Sequence, residues 1–115
     1  MLDLDDIIAD DMEENDLEEV VMGLIINSGQ ARSLAYTALK QAKQGNFEQA
    51  KEIMEQSRTA LNEAHRVQTQ LIESDLGEAK IKVSLVLVHA QDHLMTSMLA
   101  RELITELIEV YEKVQ

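Results

Sequence analysis

The chain has 115 residues, which suits one domain with a modest core. Its net charge of −12, no Cys and no Pro exclude a disulfide scaffold and a thiolate metal site, and make nucleic acid or an anionic membrane a poor partner. The acidic start "MLDLDDIIADD" lacks the basic region of a signal peptide, and no uncharged apolar run approaches membrane length, so a cytoplasmic protein without direct membrane insertion is expected.

The charge is concentrated at one end. Residues 1–16 carry eight acids and no base, so the remaining 14 acids and 10 bases leave only −4 for the rest. Residues 1–16 are expected to be a disordered acidic tail, and 17–115 the folded domain. Only four Gly interrupt a composition rich in helix formers, which predicts long helices with few joints.

The first helix is predicted over about 17–44, with Asp16 as N-cap and an apolar stripe from Val20 to Ala42. Gly23 and Gly29 fall inside it, and "NSG" at 27–29 marks a bend or a close helix contact. Gly45 suits a left-handed helix stop, and Asn46 with Gln49 has the form of a capping box. The second helix is predicted over 47–73, with an apolar stripe of Ala50, Ile53, Met54, Ser57, Leu61, Ala64, Val67, Leu71 and Ile72. "SDLGE" at 74–78 forms the second joint, and a third helix is predicted over 80–113. Short joints imply an all-α, antiparallel three-helix bundle.

The third helix has two apolar bands where a lone bundle needs one. With Asp92 at zero and about 100° per residue, Ile81, Leu85, Val88, Met95, Leu99, Leu103, Val110 and Val114 surround it. Val83, Val86, Leu87, Ala90, Leu94, Met98, Ile104 and Ile108 lie on the far side. One band can bury itself within the chain, and the other needs a partner. Leu85, Asp92 and Leu99 are seven apart, the spacing of a coiled-coil seam, where one polar residue sets register and oligomer state. Asp92, repeated around a symmetry axis, is also a metal candidate.

His89 falls about 60° from Asp92 and His93 about 100°, at the seam's edge. A neutral imidazole held there can act as a nucleophile toward a phosphoryl group. There is no Gly-rich phosphate loop, serine elbow or "HExxH", so the chain lacks recognisable means of binding a nucleotide. Gln91 and His93 are candidate supporting residues. The bland readings are a boundary histidine for His89, a surface position for His65, and core filler for Met22, Met54, Met95 and Met98.

"EEVVMGLIINSGQARSLAYTALKQAKQG", "NEAHRVQTQLIESD" and "VLVHAQDHLMTSMLA" together resemble the IIA components of the lactose/cellobiose class of the bacterial sugar phosphotransferase system, nearest its N,N'-diacetylchitobiose branch. The resemblance spans about 17–113. It implies a cytoplasmic homotrimer with a parallel central seam from the third helix. His89 would take phosphate, at Nε2, from the histidine-containing phosphocarrier protein and pass it to a cysteine of the IIB component during disaccharide uptake. Asp92, one from each of three chains, would hold a divalent ion, Mg²⁺ by its oxygen donors. His93 matches a second histidine near the site. A non-catalytic trimeric helical adaptor and a metal-storing bundle are the alternatives.

Overall fold

The computed structural model describes residues 14–75, 77 and 81–115. Residues 1–13, which make up most of the expected tail, lie outside the described residues. Three α-helices follow one another: α1 (Glu14–Lys43), α2 (Phe47–Asp75) and α3 (Leu85–Val114). No strand occurs among the described residues. Each helix is about 45 Å long at 1.5 Å per residue, and all three pack side by side with α1 touching both others.

The joint after α1 forms because Gly45 adopts φ 85°. The Gly45 amide donates to Ala42 O (3.0 Å) and the Asn46 amide to Gln41 O (2.9 Å), closing a Schellman motif. Asn46 does not use its side-chain amide in the expected box with Gln49. Its Nδ2 donates back to Gln41 Oε1 at 2.9 Å, across the joint.

The helix ends differ from the sequence expectation, and α2 runs through Asp75, two residues into the expected joint at 74–78. Asp16, expected as the N-cap of α1, lies inside the helix, which is described from Glu14. α3 begins at Leu85, with Ser84 as N-cap in an extended conformation and its Oγ accepting from the Leu87 amide. Helical periodicity upstream misled because Ile81 is apolar at the right spacing yet belongs to the connection. There its amide donates to Asp75 Oδ1 (2.9 Å), and its side chain packs against the core.

The core has two clusters. One holds Val21, Leu24, Leu61, Val67, Leu71, Leu87 and Leu94, and the other is alanine-rich around Met54, Ile104 and Ile108. Ser57 and Ser97 lie between them along α2 and α3, and with Ser28 they are fully buried. Ser57 Oγ donates to Ala31 O (2.6 Å) and accepts from Arg101 Nε (2.9 Å). Arg101 Nη2 also donates to Met54 O (3.1 Å), so one serine ties all three helices. Burial pushes the Arg101 guanidinium below its ordinary value, partly offset by Glu55. Ser57→Ala should therefore destabilise the chain by about 1–3 kcal/mol, because it removes a buried hydroxyl that bonds Ala31 O and strips a partly buried guanidinium of an acceptor. Chemical denaturation measures this, and a change within about 0.5 kcal/mol would contradict the assignment.

The two bands of α3 separate over most of the helix. Leu87, Ala90, Leu94, Ile104 and Ile108 are buried in the bundle. On the other side Leu85 (87% exposed), Val88, Met95, Leu99, Leu103, Leu107, Val110 and Val114 form an open apolar stripe. Val83 and Val86, placed by periodicity with the inner band, and Ile72, placed with the apolar stripe of α2, are exposed. Of the four methionines expected as filler, Met54 is buried and Met98 packs at the core's edge, whereas Met22 and Met95 are exposed.

Candidate functional site

The site begins with the helical rise that stacks residue i on residue i+4. His89 and His93 occupy such positions early in α3, and their rings stack at 5.8 Å between centroids with planes 14° apart. His89 is exposed and His93 half-buried. The difference arises from α1, which runs beside His93. Gly29 lies so close that a Cβ there would stand 3.2 Å from His93 Nε2. The "NSG" stretch is thus a close helix contact.

One turn further along α1, Arg32 Nη2 meets His93 Nδ1 at 3.3 Å. A guanidinium can only donate, so Nδ1 accepts and the proton of the neutral ring sits on Nε2. Burial lowers the His93 pKa, and the Arg32 and His89 charges lower it further. The ring is therefore neutral at pH 7.

Gln91 lies on the other flank of α3, about 200° from His89. Its side-chain amide pairs reciprocally with that of Gln68 on α2. It anchors the helix that carries the histidines and does not meet their rings. Thr96, exposed one turn beyond His93, donates to Asp92 O at 2.8 Å. His65 is exposed on α2 and stands apart from this constellation.

Asp92 is exposed at the middle of the outer stripe of α3, between Val88 and Met95. Among the described residues no three His, Cys, Asp or Glu side chains gather to hold a metal. One chain thus offers one carboxylate, whereas a divalent ion with oxygen ligands takes about six donors. The donor type fits Mg²⁺, but the number requires further copies of Asp92.

Sequence reasoning overlooked Arg32, Gln68 and Arg101. Each looks like an ordinary solvated residue on a helix, and only tertiary packing reveals its partner. The remaining signal was Gly29 three residues before Arg32, which places a close contact and a cation on one face of α1.

The chain's relatives carry the same description. Residues 19–112 match the family described as "PTS system, Lactose/Cellobiose specific IIA subunit". The chain is 76% identical to the N,N'-diacetylchitobiose-specific EIIA component of Escherichia coli K12, over 100% of this chain and 99% of that protein. It is 37% identical over 99 residues to the lichenan-specific phosphotransferase enzyme IIA component of Bacillus subtilis, covering 86% of this chain and 90% of that one. Among solved structures, the IIA(Chitobiose)–HPr complex from the Escherichia coli N,N'-diacetylchitobiose branch matches at TM-score 0.76 and 82% identity, covering 85% of this chain and 95% of that one. The cellobiose-specific enzyme IIA of Bacillus anthracis matches at TM-score 0.82 and 44% identity, covering 90% and 93%. A three-helix chain with paired histidines on its third helix, matched along nearly its whole described length, belongs to the lactose/cellobiose-specific IIA family of the sugar phosphotransferase system.

Proposed function

We propose that this chain carries a phosphoryl group on His89 during uptake of a disaccharide, N,N'-diacetylchitobiose, in the cytoplasm. The observation that carries the reading is the exposed His89 ring, stacked on a half-buried neutral His93, in a chain 76% identical to a chitobiose-specific EIIA component. No helix among the described residues is long and apolar enough to cross a membrane, so the sugar path belongs to other components.

The donor is the histidine-containing phosphocarrier protein, which is also the partner in the solved complex of a close relative. The lone pair on His89 Nε2 attacks phosphorus as the P–N bond to the donor imidazole breaks, and His89 keeps its proton on Nδ1. A cysteine thiolate of the IIB component then attacks phosphorus, and the electron pair of the His89 P–N bond returns to Nε2. The exposure of His89 suits a group that must meet two partners in turn.

The outer stripe of α3 is assigned to two further copies of this chain, giving a homotrimer with a parallel central seam. Three Asp92 carboxylates would then share one Mg²⁺, which supplies charge neutralisation and takes no part in the transfer. The stripe runs from Leu85 to Val114 in eight steps averaging about 3.6 residues. That period matches a straight α-helix more closely than a 3.5-residue repeat, so the seam should supercoil little.

Incubation with the general phosphotransferase components and labelled phosphoenolpyruvate tests the carrier reading. A trimeric adaptor would take up no label. The docking face has its own test. Val86 and Thr96, each within about two turns of His89 and outside the stripe assigned to the seam, are exposed and uncharged. Affinity for the phosphocarrier should change less than about tenfold between low and physiological salt. A steeper loss, read by titration calorimetry, would reassign the interface to charged residues.

A further inference from the structure

His93 is held by more than its own helix. Gly29 lets its ring approach α1, and Arg32 meets its Nδ1 from one turn beyond. On its other side the ring lies against His89. The three residues form a short relay of contacts from α1 to the exposed imidazole.

We infer that Arg32 is a positioning residue for phosphoryl transfer, acting through His93 to hold that ring beside His89 with its proton on Nε2. The inference rests on His89 being the phosphoryl carrier. Its physical basis is the donor-only guanidinium. An imidazole without such a partner can carry its proton on either nitrogen, and the Nδ1–H form leaves a lone pair at the far end of the ring. That form would also set an N–H against the Arg32 donor, so the ring would leave the place in which it stacks on His89. Arg32 removes the unfavourable form and anchors the ring's inner edge. Bonding to Arg32 leaves the Nε2 proton as the neutral ring's only N–H.

Arg32→Met retains the aliphatic stem and removes every donor. Nitrogen-15 NMR of His93 should show the Nε2–H form in the native chain and in Arg32→Lys, and a mixture in Arg32→Met. In steady-state transfer from the phosphocarrier, Arg32→Met should lower kcat about tenfold or more while KM changes less than about twofold. Arg32→Lys should recover most of the rate, because an ammonium also only donates. The coupling is checked in a His93→Phe background, which keeps a flat ring and removes both nitrogens. There Arg32→Met should cost no further rate.

An unchanged His93 tautomer in Arg32→Met overturns the inference. So does an unchanged rate, or a full additional loss in the His93→Phe background, since Arg32 would then act independently of His93. If Arg32→Met fails to fold, Arg32→Lys decides. A native tautomer and rate there support the inference, and a native tautomer with the rate lost overturns it. Failure of the native chain to accept phosphate would sink the carrier reading instead, and the NMR result would still report on the Arg32–His93 contact.

Discussion

His89→Gln should abolish phosphoryl uptake completely and leave the fold intact. His89 is the exposed ring of the stacked pair, so its loss removes the nucleophile and little packing. His93 cannot take over. Its Nδ1 faces Arg32 and its Nε2 faces Gly29, so neither nitrogen has the exposed approach that His89 has. His93→Gln should therefore still be labelled, more slowly, because an amide cannot reproduce the stacked ring. Intact-mass spectrometry at neutral-to-alkaline pH, where phosphohistidine survives, reads both variants. Circular dichroism and thermal melting check that His89→Gln keeps native helicity. Label in His89→Gln, or its loss only in His93→Gln, would move the site to the inner histidine.

The contrast between these two rings shows what the sequence can and cannot convey. Helical spacing is a property of the backbone, so the bundle, the inner band of α3 and the pairing of His89 with His93 followed from counting residues. Gly45 was legible because a left-handed stop has a chemical signature in glycine. The start of α3 was not, since Ile81 and Val83 continue the period by identity alone while the chain is still approaching the Ser84 cap. Partners across helices were equally hidden. Apart from Gly29 one turn before it, nothing local distinguishes Arg32, which meets His93, from Arg58, which pairs with Glu55 on the surface of α2 at 3.7 Å. Arg101, too, reads as a solvated cation until Ser57 and Met54 O are brought beneath it.

If the outer stripe of α3 forms the proposed trimer seam, Asp92→Leu should give a trimer that survives excess chelator. The argument starts from the stripe on α3, where Leu85, Val88, Met95, Leu99 and Leu103 are all exposed in the single chain. Apolar area of this extent on one face is a liability unless something covers it. Asp92 is the charge in its midst. If three copies meet there in parallel, three carboxylates converge, and like charges so close cannot all stay ionised without a cation or a bound proton. One chain cannot build the ion's site alone, so chelation should loosen the native assembly at neutral pH. Leucine at 92 makes the row from Leu85 to Leu99 unbroken and would remove the three charges that the proposed seam brings together. Exchanges of this kind are often neutral or stabilising by about 1–4 kcal/mol. Phosphoryl uptake at His89 should persist in the variant, because Asp92 lies on the outer stripe of α3 while the His89 ring stacks on His93. Analytical ultracentrifugation of the native chain and Asp92→Leu, each with and without chelator, decides the matter. A monomer for Asp92→Leu would place Asp92 away from the symmetry axis, and the outer stripe of α3 would then have to be covered by something other than its own copies.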